Sequence, residues 1–404
     1  MCGSDRLLRT LDLGRTPLAN SYLAEEDLSK PEFDEELCLQ FCRDCGLSQL
    51  TKVVDPDLMF RHYLYISSTT KTIREHFAEL AETGAKAAEA KPGELGLDIA
   101  SNDGTLLKCF QAVGLKALGV DPAENLAKEA NAQGLETICD YWTPALAKRI
   151  VKERGRAKLI TACNVFAHAD ELNGFVEAVE LALAPKGLFV IEAPWVVDFL
   201  EKSEFDTAYH EHLSYIGVTP TAKLMERHGL AVVDVEHFKD IHGGTARIYC
   251  ARKGERPAKP AVAEFLAREQ KFGILDPKVY ERFAARVYEN KKRLVELVKK
   301  LRAEGKTVWA YGASAKGNTL MNFFGLSGKD IPCAIDDNPK KWGLYTPGAR
   351  MKVVGIDALM GAKVDVLLLL AWNFEREIRA RCRAAGYAGR FIVPVPEARL
   401  VEGG

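Results

Sequence analysis

Between Gly96 and Ile191 short apolar runs alternate with amphipathic stretches, and this alternation constrains the fold more than any other feature of the chain. Gly96-Leu-Asp-Ile-Ala100, Ala117-Leu-Gly-Val120, Lys158–Cys163 and Leu188–Ile191 have the length and character of buried strands. The stretches 105–110, 123–133, 143–153 and 170–183 between them read as helices. Thr143-Pro144 offers an N-cap followed by proline at the first helical position, and Pro185-Lys-Gly187 is expected to end the last helix. Strands separated by helices pair by crossover rather than by hairpin, so the expected core is a parallel α/β sheet. A helix over 71–90 precedes it.

In such sheets ligands lie outside the carboxyl ends of the strands. Asp121 closes the second strand, where a carboxylate can accept hydrogen bonds from two ribose hydroxyls. The first strand-to-helix turn, Ala100-Ser101-Asn102-Asp103-Gly104, lacks the G-x-G-x-x-G that admits a dinucleotide pyrophosphate. With Asp98 beside it, the turn suits a cationic nucleoside. Asp98, the turn, Asp121, Asp140-Tyr141 and Asn164 fall at successive strand ends, which points to S-adenosylmethionine rather than NAD. Another nucleotide is the alternative.

A second α/β unit begins near Lys306. Thr307–Tyr311 reads as a strand running into Gly312-Ala-Ser-Ala-Lys316-Gly-Asn318-Thr319 and a helix. The pattern nearly matches a P-loop, but Asn318 stands where the lysine belongs and Lys316 comes two positions early, so ATP hydrolysis is not expected. Small residues at a helix start, with a lysine, still suit a diphosphate. Asp336, in the stretch ending at Lys340, and Asn373 close two further strands, as a ribose and base would require. A domain that serves packing alone is the competing reading.

The remaining segments frame these two units. Residues 256–304 are charged, with apolar residues at helical spacing (Phe283, Val287, Leu294, Leu297, Leu301), and read as a helical connector. Residues 195–202 and 219–228 read as helices, the second capped by Thr219-Pro220, and strands 231–236 and 245–251 bracket His242-Gly-Gly244. Residues 1–66 show little helical periodicity. Cys42-Arg-Asp-Cys45-Gly46 is a knuckle able to grip zinc, and Cys2-Gly3 looks like the second half of another whose first cysteine precedes Met1. Cys2, Cys42 and Cys45 are thus the expected metal ligands, with Cys38 or an upstream His able to complete the set. A knuckle that folds without metal is the alternative. The expected division is 1–66, zinc-binding; 67–255, methyl-donor-binding; 256–304, connector; 305–404, a second nucleotide-binding α/β unit.

One stretch carries the chemistry. Thr207-Ala-Tyr209-His210-Glu211-His212-Leu-Ser-Tyr215 concentrates two histidines among the chain's 8. Histidine takes a proton near neutrality, and tyrosine can donate to an oxygen gaining charge, the pair that proton abstraction beside a carbonyl requires. A metal site, or residues merely ending a strand, are the competing readings. A net charge of −1 with no basic block argues against nucleic acid or anionic membrane as partner. With no signal-peptide pattern and no apolar run of about eighteen residues, a cytoplasmic location is expected. The scattered cysteines fit small core residues in a reducing compartment.

Taken together, the motifs resemble those of the deoxysugar C-methyltransferases, which methylate carbon on nucleotide-linked keto-sugars. They are Pro17-Leu-Ala-Asn20, the Cys42–Gly46 knuckle, Tyr63 and Tyr65, Ser101-Asn-Asp-Gly104, Asn164 with His168, and Tyr209-His-Glu-His212. His242-Gly-Gly244, Tyr311-Gly with Lys316-Gly-Asn-Thr319, Asp337-Asn-Pro-Lys340 and Trp372-Asn373 complete the series, in the family's order over almost the whole chain. The resemblance implies a zinc-ribbon-like N-terminal domain, a central class I (Rossmann-like) methyltransferase domain and a C-terminal Rossmann-like α/β domain holding the sugar nucleotide. It implies His212 as base, with Tyr209, Glu211, Tyr63 and His168 around the sugar and Asn20 and His242 on the substrate. His210 is expected to face away. Methylation of oxygen or nitrogen, and nucleotide-sugar binding without catalysis, are the alternatives.

Overall fold

The structure, a computed structural model, describes residues 1–63, 66–69, 71–239, 241 and 243–402; the motif residue Tyr65 and the expected site residue His242 lie outside them. Among the described residues the strands form three sheets. In the N-terminal segment β1 (Leu7–Pro17) and β2 (Asp34–Cys42) pair antiparallel, and β3 (Ser48–Leu50) returns after the Cys42–Gly46 turn. Gly46, at φ +83°, closes that turn by donating its N–H to the Cys42 carbonyl.

The central sheet carries β4 (Leu95–Ile99), β5 (Lys116–Val120), β6 (Thr137–Ile138), β7 (Ala157–Cys163) and β8 (Leu183–Pro194), all parallel. All five residues of β4 are buried, as a parallel strand covered on both faces requires. The pair β9 (Ser214–Tyr215) leaves this unit and joins the N-terminal sheet as its fourth strand, beside β3. Strands β10 (Leu230–Phe238) and β11 (Thr245–Arg252) form an antiparallel hairpin whose second strand lies against β8, giving the order β10-β11-β8-β7-β4-β5-β6. The order reverses between β4 and β7, the point at which open α/β sheets hold a ligand in a crevice beyond the carboxyl ends of the strands.

Two local expectations fail for identifiable reasons. The helix Leu172–Ala182 does not stop at a Pro185-Lys-Gly187 turn; β8 starts at once at Leu183, and these residues form an irregularity inside it, with Lys186 at φ +53°. Gly187 is obligatory there, since a Cβ would lie 2.9 Å from the Ala184 carbonyl oxygen. Likewise Thr219 is not the cap of its helix. That helix begins at Val218, and the buried Glu269 carboxylate accepts from the Val218 and Thr219 N–H groups at 2.6 and 2.7 Å.

The connector is two helices, Pro260–Phe272 and Pro277–Ala303. The second buries Tyr280, Phe283, Val287, Leu294, Val298 and Leu301 along one stripe, and Tyr280 stacks on Phe41 at 4.1 Å. Its Asn290 holds the C-terminal segment through the Pro394 carbonyl and the Ala398 N–H. The third sheet carries β12 (Val308–Tyr311), β13 (Cys333–Ile335), β14 (Lys352–Val354), β15 (Val366–Leu369), β16 (Arg390–Val393) and β17 (Arg399–Val401), ordered β14-β13-β12-β15-β16-β17 with only β17 antiparallel. One apolar core cluster runs through residues of all three sheets, so they pack as one body.

Candidate active site

At the β4–β7 reversal the backbone turns left-handed at Ala100, Asn102, Gly104 and Asn164. Gly104 lies at φ +77°, a conformation that strains any other residue, and a Cβ there would also press on the Leu135 side chain at 2.5 Å. Asp98 accepts from the Thr161 hydroxyl at 2.6 Å, and burial, with Asp121 and Glu192 nearby, raises its pKa to about 7. Asp121 accepts the Asn102 and Ala123 N–H groups at 2.8 Å each, and burial raises it too. The carboxylate of Asp103 takes Thr105 and the Ser68 N–H, while the Asn102 side-chain oxygen takes the Ser67 N–H. These two residues therefore fasten the 67–68 segment over the crevice. Asp140 is exposed and holds the Tyr141 N–H, and the Tyr141 hydroxyl reaches back to Asp57 at 2.8 Å. The Ser101 hydroxyl is buried with no hydrogen-bond partner among the described residues. A carboxyl poised near neutrality and an unmet hydroxyl, on a turn of small and polar residues, fit the cationic nucleoside S-adenosylmethionine.

Sequence reasoning missed what lies beneath. Glu192, on β8, takes the Asn164 N–H on its carbonyl at 2.8 Å, and its carboxylate meets His76 at 2.9 Å and the fully buried Arg247. Burial raises the Glu192 pKa, but His76 and Arg247 outweigh it and the net shift is downward. The network spans the helix Lys71–Ala87, β8 and β11, so no sequence-local spacing announces it.

The turn after Phe205–Thr207 carries Tyr209, Glu211 and His212, the last beside His168. His212 Nδ1 lies 2.7 Å from the Thr207 carbonyl, which can only accept, so Nδ1 carries the proton and Nε2 the lone pair. The Tyr209 hydroxyl stands 2.8 Å from that Nε2 and donates to it. Glu211 makes no hydrogen bond to the imidazole. Its buried carboxylate accepts from Asn20 at 2.6 Å and from the Tyr63 hydroxyl at 2.7 Å, and burial raises its pKa. His168 stacks on Phe60 at 5.5 Å and lies 5.1 Å from the His212 ring. Burial lowers its pKa to about 4, so it stays neutral, and its Nε2 is out of solvent with no hydrogen-bond partner among the described residues. His210 is buried beside Glu35 and Glu36, away from these groups.

The carboxyl edge of the third sheet meets this cluster. Gly312, at φ +98°, packs against Ala371, and Ser314 caps the helix Ala315–Phe324 by accepting the Gly317 N–H. Lys316 Nζ, above the Trp372 ring, has no hydrogen-bond partner among the described residues. Trp372 donates to Asp206 at 2.6 Å, and Asn373 is half-buried in the same turn. Asn318 is fully buried; its side-chain N–H groups donate to the Ala19 carbonyl and the Tyr22 hydroxyl, tethering two segments, and its Oδ1 has no hydrogen-bond partner among the described residues. One expectation needs correction here. Lys340 is exposed; the lysine turned inward is Lys341, which donates to the Ala313 carbonyl at 2.6 Å and lies 3.6 Å from Asp336. Which of two adjacent lysines faces inward depends on the phase of a single 3₁₀ turn, Pro339–Lys341, which sequence does not reveal.

In the N-terminal segment the thiol sulfurs of Cys2, Cys42 and Cys45 lie within 4.8 Å of one another, Cys2 and Cys42 at 3.5 Å. Zinc–sulfur bonds of about 2.3 Å bring thiolates to such separations, so the donor set fits zinc. Cys38 does not complete it, because its sulfur is engaged with Arg9 and the Leu39 carbonyl.

Comparison with known proteins gives three family matches along the chain: a zinc binding domain over 1–60, a methyltransferase domain over 71–235 and a C-methyltransferase C-terminal domain over 240–396. The C-methyltransferase NovU of Streptomyces niveus is 37% identical over 404 residues, covering 100% of this chain and 96% of its own. Among solved structures, the magnesium protoporphyrin IX methyltransferase of Synechocystis PCC 6803 with bound SAM aligns at 12% identity and a TM-score of 0.34, over 45% of this chain and 79% of that one. The PH0226 protein of Pyrococcus horikoshii OT3 aligns at 16% identity and 0.38, over 50% and 97%.

Proposed function

The chain belongs to the zinc-binding, S-adenosylmethionine-dependent C-methyltransferases, and from that premise we propose that it methylates a carbon next to the ketone of a nucleotide-linked deoxysugar, with His212 as the base. The observation that carries this reading is the bond from His212 Nδ1–H to the Thr207 carbonyl, which fixes Nε2 as a lone-pair site in a polar pocket. When bound, S-adenosylmethionine supplies an electrophilic methyl group. His212 Nε2 takes the proton alpha to the ketone, and the Tyr209 hydroxyl must leave Nε2 for that to happen. Once displaced, it can donate to the ketone oxygen as that becomes an enolate. A donor so placed is worth about 2.7–4 kcal/mol. Tyr63, steadied by Glu211, faces the same space, and Asn20 fixes the far side of that carboxylate. His168, kept neutral, can hydrogen-bond a sugar hydroxyl without adding charge. Asp98, Asp121 and Ser101 would hold the methyl donor, and Lys316, Lys341 and Asp336 the diphosphate and ribose.

Incubation with S-adenosylmethionine and a panel of nucleotide 4-keto-deoxysugars in heavy water tests the reading. The expected product is heavier by one methyl, with deuterium exchanged at the carbon alpha to the ketone when the methyl donor is withheld. Methylation without that exchange would assign the methyl to oxygen or nitrogen and sink the carbon-acid mechanism.

A further inference from the structure

One large aromatic stands outside this chemistry. Trp342 is 48% exposed, yet it is fixed on two sides. Its indole N–H donates to the Asp336 carbonyl at 2.7 Å, and its ring lies so close to Gly355 that a Cβ there would be 2.9 Å from Cζ2. The N–H is thereby used up, and what the ring still offers a ligand is its π-face.

Its place in the topology is specific. Asp336 follows β13 and Gly355 follows β14, so the indole spans the carboxyl ends of two neighbouring strands. The order β14-β13-β12-β15 reverses between β12 and β15, and the small-residue turn Gly312–Ser314 lies at that reversal. A nucleotide with its phosphates at this turn and its ribose at Asp336 continues outward over β13 and β14. It arrives at Trp342. Lys341, the preceding residue, points back toward the turn through the Ala313 carbonyl, so the lysine and the tryptophan bracket the same line.

Resting on the nucleotide-sugar reading above, we propose that Trp342 is the stacking platform for the nucleobase of the substrate. Stacking uses a face that every base has, so the platform adds affinity without choosing the base.

The test uses the full chain and two probes, UDP and dTDP, titrated by calorimetry with tryptophan fluorescence as a second signal. Trp342→Ala is expected to weaken diphosphate binding by roughly 5- to 150-fold. Trp342→Phe, which keeps a ring, should stay within about 3-fold of the parent. Affinity for S-adenosylmethionine, measured on the same samples, should not move, which shows that the variants are folded. Parent-like diphosphate binding by Trp342→Ala would overturn the platform and leave the nucleotide-sugar reading standing. Failure of the parent protein to bind either diphosphate would overturn both.

Discussion

A single backbone carbonyl decides which nitrogen of His212 can act as a base. Because the Thr207 oxygen holds Nδ1–H, the imidazole needs no carboxylate to set its tautomer, and Glu211 is left to position Asn20 and Tyr63. His212→Asn should therefore lower turnover by about 10²–10⁴ while calorimetry finds S-adenosylmethionine binding unchanged. Turnover within a few-fold of the parent would end the assignment. Asp98 gives a pH signature. Burial raises its carboxyl to about 7 in the folded protein, above the ordinary value, so the folded state holds this proton more tightly than the unfolded chain. The stability it contributes is complete below about pH 4 and is lost as pH rises through about 7. A bound sulfonium and ammonium favour the carboxylate, so S-adenosylmethionine affinity should climb with pH and level off above about 7, with proton release seen when buffers of different ionisation heat are compared. Asp98→Asn should flatten that profile; an unchanged slope would place the proton elsewhere.

At the scale of elements, the strand–helix alternation was legible because each strand of the parallel sheet is a short apolar run, and β4 with its polar turn is the clearest case. The Cys42–Gly46 turn was legible because its chemistry is local: two thiols and a glycine at φ +83° within five residues. What stayed hidden depends on partners distant in sequence. Glu269 caps a helix that begins about fifty residues earlier, Asn318 is claimed by Ala19 and Tyr22, and Arg247 is buried only because Glu192, Glu79 and Glu236 surround it. Pro185-Lys-Gly187 looked like a terminator because proline and glycine break helices, yet a strand absorbs them as an irregularity. The metal makes its own prediction at this scale. Purified protein should carry zinc by plasma emission, and a chelator should remove it while lowering the melting temperature and exposing β1–β3 to hydrogen exchange. Exchange in those strands that ignores the chelator would make the three-cysteine cluster a metal-free knuckle.

Across the whole molecule the candidate pocket belongs to no single sheet. Asn20 comes from the N-terminal segment, His212 and Glu211 from the central unit, and Lys316 and Trp372 from the third, with the Trp372–Asp206 and Asn318–Ala19 bonds locking the edges together. Asn318→Ala deletes the donor to a buried carbonyl and should cost about 1–3 kcal/mol in urea unfolding. It should also raise the KM for the proposed nucleotide-sugar substrate while leaving S-adenosylmethionine binding intact, because the residues proposed to hold the methyl donor lie within the central sheet. Equal losses for both ligands would mean that the tether supports the central fold itself.

The pairing of β3 with β9 has a further consequence, in time rather than space. Leu50 leaves the ribosome long before Tyr215, by roughly 8–33 s at about 5–20 residues per second. During that interval the N-terminal sheet lacks its last strand, and Asn20 and Tyr22 wait still longer for Glu211 and Ala313. The thiol cluster, like the β1–β2 pairing, lies wholly within the first 45 residues, so metal capture is available to the nascent chain early. Everything the pocket needs from that segment is delivered only after the remainder has been made.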